Sequence, residues 1–459
     1  LWIIQYKKEN TMKKLLGIFI PLTLLAINMN GQYKSPFPKE ELISKAKEFV
    51  QALEKGDYEK SVKDFDETMT KLVSPEKMKQ VWEAVLKQVG KLKQQKGIRT
   101  ESIPDYDIVY VTCEFEKATL DVKVVFNKKR QIAGQFFTPT PVPYKSPEYA
   151  DQNSFTETDV EFGKQGWKLP GTLSIPKGDG PFPAVILVHG SGPNDRDESV
   201  GANKPFKDLA WGLASKNIAV LRYDKRTKVY GKKMASQKDT PLTVYEECIE
   251  DAVYAAELLL RTEKIDQEKI FILGHSLGGT LIPRIAPLES HCAGFIIMAG
   301  ATRPIEDLYI EQVTYIFMLD GKLSKEEEEK LKETEADVQK IKNLTQADLN
   351  DKKEKILGAY PEYWLSLKGY DPAETAKGIQ RPLLILQGGR DYQVTKKDYE
   401  NWEKALSSQN NVAFKLYPSL NHLFISGEGP SSPSEYLQPG HVDETVIKDI
   451  ADWIYALKK

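Results

Sequence analysis

Ser276, Asp391 and His422 have the residue types that acyl transfer requires. A serine hydroxyl is a weak nucleophile until an imidazole takes its proton. The imidazole in turn needs a carboxylate to orient it and to balance the charge it acquires. Ser276 stands in Gly274-His275-Ser276-Leu277-Gly278, between a short apolar run, Lys269–Leu273, and a helix-like stretch, Leu277–Ile285. That setting reads as strand, tight turn and helix, the context of a Gly-x-Ser-x-Gly elbow. In such a turn the serine projects from strained backbone and the glycines avoid collision. The N–H of Leu277 then points with the helix N-terminus at a developing oxyanion. The pentapeptide alone also fits a glycine-rich turn kept for close strand–helix packing, so its partners must decide.

Each partner follows an apolar run of its own. Asp391, in "QGGRDYQVT", comes after Leu383–Leu386 and before a helix that Thr395 and Asp398 are expected to cap. By itself it reads equally well as a turn aspartate. His422, in "PSLNHLF", comes directly after Val412–Tyr417, in a chain with five histidines. His441 lies between the same strand and the last helix and is the rival base. Glu306 and Asp307, after another apolar run, are rivals for the acid. After Ala184–Val188 comes "HGSGPNDRDE", where Gly190 and Gly192 let the loop fold back and the Ser191 N–H supplies a second oxyanion donor. His189 reads as structural. Asp195, Arg196 and Asp197 read as a loop-stabilising ion network, and so does "RYDKR", Arg222–Arg226.

The elements that must position these residues form a regular series. Opening strands around Val160–Ile175 precede buried strands at Ala184–Val188, Ile218–Leu221, Lys269–Leu273, Phe295–Met298, Leu383–Leu386 and Val412–Tyr417. Helical segments separate them, among them Val244–Leu260, with a Thr243/Glu246 capping box, and Val446–Leu457. Continuous apolar strands alternating with helices predict an α/β domain, a doubly wound and mostly parallel sheet, over residues 155–459. In such sheets sites form at the C-terminal strand ends, where the serine, acid, base and donor loop all fall. The alternation breaks over residues 302–380, a helical, charged interval with aromatic flanks that reads as a lid. Phe317 and Trp364 are its candidate substrate-binding residues. Residues 38–137, helices followed by an antiparallel meander, predict a small α+β domain, and residues 138–154 a proline-rich linker.

Composition narrows the classes. A net charge of −2 gives no global field for nucleic acid. Residues 1–31 read as upstream residues and a signal peptide: Met12-Lys13-Lys14 precedes an apolar run, Leu15–Ile27, too short to span a membrane, so export to periplasm or exterior without a transmembrane anchor is expected. The widely spaced Cys113, Cys248 and Cys292 exclude a disulfide framework and a zinc spacing. No metal or organic cofactor is expected.

The stretches "VILVHGSGPNDRDE", "RYDKR", "GHSLGG", "YWLSLKGYDP", "LQGGRDYQV" and "YPSLNHLF" together resemble the α/β-hydrolase-fold serine esterases, in the branch with a small N-terminal α+β domain of unknown role. The resemblance runs from about Pro38 to Lys459. It implies an esterase with a Ser276–His422–Asp391 triad and Ser191 and Leu277 as oxyanion donors. Where many relatives continue Gly-x-Gly-x-Ser, this chain has "TKVYGKK" after Arg226, which obscures the substrate. The expected substrates are small-molecule esters with small, medium or aromatic acyl groups, acylated carbohydrates among them. The rival readings are a serine aminopeptidase or amidase on the same fold, and a non-catalytic ligand- or glycan-binding protein.

Overall fold

The computed structural model describes residues 39–457 apart from 104, 141, 237–241 and 350–353. The leader, and with it the reading of export, lies outside the described residues. The chain divides into two compact units, one within residues 4–142 and one comprising residues 143–459.

In the first unit, helices α1 (Lys39–Glu54), α2 (Tyr58–Val62), α3 (Glu67–Leu72) and α4 (Pro75–Val89) precede strands β1 (Leu92–Ile103), β2 (Tyr106–Phe115), β3 (Thr119–Asn127) and β4 (Ile132–Pro139). Local chemistry sets the limits of α4: the Ser74 side chain accepts the Lys77 N–H, Pro75 opens the helix and Gly90 ends it. The strands form one antiparallel sheet in chain order, with Phe49, Leu53, Met78 and Trp82 packed on Val111 and Val124. The sequence pattern reveals only the last three strands. β1, "LKQQKGIRTESI", is a polar edge strand that pairs only with β2, so it lacks the apolar alternation that marks the others.

The second unit is built on an eight-stranded sheet of β5 (Phe155–Phe162), β6 (Leu169–Pro176), β7 (Phe182–Val188), β8 (Ala219–Tyr223), β9 (Ile265–His275), β10 (Gly294–Met298), β11 (Leu383–Gly388) and β12 (Val412–Tyr417). Its order is β12-β11-β10-β9-β7-β8-β6-β5. The run from β8 to β12 is parallel and β6 is antiparallel to its neighbours. β8, β10 and β11 are buried along their whole length because helices cover both faces. One face packs under α7 (Glu250–Leu259), α8 (Leu277–Ile285) and α13 (Lys396–Leu406). The other packs under α5 (Pro205–Ala214) and α14 (Glu444–Ala456). A helix α6 (Arg226–Ser236) follows β8.

Three local expectations are corrected. The first concerns the boundary of the linker, which is anchored from Pro143 onward. The Tyr144 hydroxyl donates to Asp208 Oδ1 at 2.6 Å and the Tyr149 hydroxyl to the Val442 carbonyl at 2.7 Å, which ties residues 143–154 to the sheet unit. The Thr243/Glu246 box forms only in part: Glu246 accepts the Thr243 N–H, but the turn it opens, Tyr245–Ile249, is π-helical. Thr395 makes no side-chain cap on α13: its hydroxyl accepts from Arg303 Nη2 at 3.2 Å, and the Asp398 carboxylate is buried and committed to Arg303 and to the Thr302 N–H.

The interval after β10 holds α9 (Ile305–Phe317), α10 (Lys325–Asn343), α11 (Pro361–Leu367) and α12 (Pro372–Ala376). The charge run forms α10, started by a complete Ser324/Glu327 capping box. Trp364 is buried among Ile341, Leu344 and Ile356, and its indole N–H donates to the Ile356 carbonyl at 2.8 Å. It packs the inside of this insertion. Phe317 is buried at the end of α9. All three cysteines are free and buried.

A chain beginning at Pro143 is expected to melt cooperatively, and one beginning at Phe155 to lose about 2–4 kcal/mol, since it discards two partly buried tyrosines and their hydrogen bonds. Calorimetry of the two truncations checks this. Equal melting temperatures would show that the tyrosines contribute nothing.

Candidate active site

Ser276 closes the turn between β9 and α8 with φ 53° and ψ −116°, a conformation that side chains rarely adopt. Such strain costs about 1–3 kcal/mol and persists only where the surroundings over-determine it. Here they do. The Ser276 N–H donates to the Met298 carbonyl and the Thr280 N–H to the Ser276 carbonyl, each at 2.9 Å. A Cβ on Gly274 would lie 2.3 Å from the Gly278 carbonyl group, and one on Gly278 would lie 2.3 Å from the Val188 carbonyl oxygen. Neither position admits a side chain. The elbow is thereby pressed against the end of β7, and the loop after β7 abuts the serine: a Cβ on Gly190 would lie 3.1 Å from Ser276 Cβ and 3.5 Å from its Oγ.

Asp391 and His422 meet at the ends of β11 and β12. His422 Nδ1 lies 2.6 Å from Asp391 Oδ2, with both side chains buried. Asp391 Oδ1 accepts the N–H groups of Gln393 at 2.7 Å and Val394 at 3.0 Å, so the loop holds the carboxylate in place. A carboxylate only accepts, so the proton of neutral His422 sits on Nδ1 and Nε2 keeps its lone pair. His441, the rival base, pairs with Asp208 at 3.0 Å and borders Tyr144. Asp307, a rival acid, pairs with Lys342 at 2.6 Å, whereas His422 pairs with Asp391.

Beneath the serine lies a second carboxylate–imidazole pair. His275 Nδ1 is 2.8 Å from Glu198 Oε2, and His275 Nε2 is 2.9 Å from the His422 carbonyl oxygen. Both ring nitrogens thus face acceptors, an arrangement that favours the doubly protonated, charged ring. Burial works against that charge, but Glu198 and the His422 carbonyl outweigh it and raise the His275 pKa above 6.5. Burial likewise opposes the Glu198 carboxylate, and His275 with the Gly190 N–H holds its pKa below 4.5. The Gly190 N–H donates to Glu198 Oε1 at 2.6 Å. Glu198 looks in the sequence like one more charge in a polar loop. Its one signal is the histidine before Ser276, a titratable residue inside a turn that packing alone would fill with something apolar.

The surrounding charges form the expected network. Arg196 binds Asp224 and Asp159, and Arg222 binds Asp197 and Glu157. His189 is buried against Phe206 and Tyr223, and burial pushes its pKa down to about 4, which keeps it neutral. Among the described residues no group of three or more His, Cys, Asp or Glu is arranged to hold a metal ion. None of their helices is long and apolar enough to cross a membrane.

Residues 181–428 match the family model described as serine aminopeptidase, S33, and residues 46–134 match a protein of unknown function, DUF3887. Esterase EstD of Thermotoga maritima is 40% identical over 412 residues, covering 88% of this chain and 93% of that one. The chain belongs to the α/β-hydrolase-fold serine esterase family. This hydrolase also resembles esterase FrsA of Vibrio cholerae, 28% identical over 162 residues that cover 35% of each chain. Among solved structures, Est1E from Butyrivibrio proteoclasticus has a TM-score of 0.42 at 15% identity, covering 65% of this chain and 99% of that one.

Burial and the neighbouring His275 cation lower the His422 pKa from 6.5, against the pull of Asp391. A base must be neutral to accept the serine proton, so activity in the acylation step should rise with pH through a midpoint below 6.5. The pH profile of kcat/KM on an activated ester checks this. A midpoint at or above 6.5 contradicts it.

Proposed function

We propose that this hydrolase cleaves carboxylic esters with small, medium or aromatic acyl groups, acylated carbohydrates among them, and that it does so through Ser276, His422 and Asp391. The observation that carries this reading is the buried 2.6 Å contact between His422 Nδ1 and Asp391 Oδ2, beside the strained Ser276 elbow. His422 Nε2 takes the serine proton as Oγ attacks the ester carbonyl. Asp391 stabilises the imidazolium that results, and the Ser191 and Leu277 N–H groups hold the oxyanion. Leu277 is the first residue of α8, so its N–H has no partner within the helix. His422 returns the proton to the leaving alcohol. Water, activated by the same imidazole, then releases the acid from the acyl-enzyme.

The basic and apolar leader, Met12–Gly31, supports action outside the cytoplasm. The peptidase rival takes its support from the description of the family model. Hydrolysis of an aminoacyl amide needs an acidic clamp for the substrate amine, a role open to acids of the insertion such as Glu362 at the start of α11.

The test is a panel of acyl-graded esters, acetylated sugars and aminoacyl amides with the purified protein, run beside Ser276→Ala. Esters should turn over far faster than amides. Ser276→Ala should lower kcat by about 10⁴-fold or more with the fold intact, and a fluorophosphonate should label Ser276. Preference for aminoacyl amides would favour the peptidase. Full activity in folded Ser276→Ala would remove the nucleophile.

A further inference from the structure

The residue after Asp224 in "RYDKR" has a use that neither ion pairing nor packing explains. Lys225 stands just past the end of β8 and its side chain is 1% exposed. Its ammonium makes two short contacts: one to Glu247 Oε1 at 2.6 Å and one to the Gly190 carbonyl oxygen at 2.6 Å. Asn194 Nδ2 donates to the same carbonyl at 3.0 Å. Burial opposes the charge on Lys225, but its pKa is raised overall, and the Glu247 carboxylate is the charged group in contact with it.

The Gly190 carbonyl belongs to the same peptide group as the Ser191 N–H. A cation on a peptide oxygen draws electron density through the amide, which makes the N–H at the other end a stronger donor. Glu198 holds the N–H of Gly190 at 2.6 Å, so the residue is clamped at both ends with Ser276 beside it. The geometry points to Lys225 as a positioning residue for the oxyanion hole: it orients the Gly190–Ser191 peptide and polarises its N–H toward the oxyanion. The inference rests on the reading of Ser191 as an oxyanion donor.

Glu247 keeps the ammonium in place from the π-helical turn, where the sequence pattern calls for an ordinary α-helical start. Tyr363 of the lid helix α11 also faces Glu247, and burial together with that carboxylate holds its phenol well above its usual pKa.

The experiment uses the full-length protein with Lys225→Met, which keeps the stem and removes the charge, and with Glu247→Gln, which loosens the ammonium without deleting it. Three readouts are compared: kcat and KM on one activated ester, the affinity of an alkyl trifluoromethyl ketone that forms a tetrahedral adduct with serine, and the amide proton resonance of Ser191 on adduct formation. Lys225→Met should lower kcat about tenfold to a hundredfold, less than the loss of a whole donor, with KM within about threefold. Ketone affinity should fall in parallel, and the downfield movement of the Ser191 resonance should shrink. Glu247→Gln should do the same to a smaller degree, and it carries the test if Lys225→Met does not fold. A purely structural role would lower stability without reducing that movement. If the Ser191 resonance does not move in the parent adduct, the oxyanion reading itself falls. If it moves there and moves equally in the variants at parental kcat, the inference about Lys225 alone is overturned.

Discussion

The Glu198–His275 contact is the interaction on which the geometry of the site depends, because it joins three loops that the sheet only brings near one another. Glu198 comes from the loop after β7, His275 from the end of β9, and the carbonyl that His275 binds from the loop after β12. Burying a carboxylate and an imidazolium costs several kcal/mol per ion, and their attraction returns little net stability. What the pair supplies is registry. Glu198 fixes Gly190 beside Ser276, and His275, adjacent to Ser276 in the chain, fixes the backbone of His422. Burial lowers the His422 pKa, and the His275 ring, its centroid 4.8 Å away, adds to that effect.

This arrangement needs a rigid frame. The parallel strands from β8 to β12 are clamped between helical layers, so their C-terminal ends cannot drift relative to one another. Onto that edge the turn at Ser276 is forced by close approach of backbone to backbone, where only glycine fits at Gly274 and Gly278. The strain at Ser276 is offset by the packing of the whole elbow. The insertion after β10 is organised differently, with a small core of its own around Trp364.

How much of this was readable from the sequence follows from the range of each interaction. Buried parallel strands are continuous apolar runs, so β7 to β12 and the residues that follow them stand out, and so does the strand–turn–helix setting of Ser276. β1 did not, since an edge strand needs no apolar face. Glu198 and Lys225 were hidden for another reason. Each looks like one more surface charge in a polar loop, and only the fold shows that both are buried against Gly190. The cap expected from Thr395 and Asp398 failed in the same way, because Arg303, distant in sequence, takes the aspartate. Local pattern reports local partners, and the polar contacts that tune this site are long-range.

The central claim is that a charged His275 persists beneath a neutral His422, and histidine-selective 15N NMR tests it most directly. The chain has only five histidines, so the resonances can be assigned by single substitutions. At about pH 7.5, above the ordinary histidine pKa, His275 should show both ring nitrogens protonated, while His422 shows a protonated Nδ1 and a bare Nε2. A His275 ring that is neutral at that pH, or that titrates with an ordinary pKa, would contradict the account.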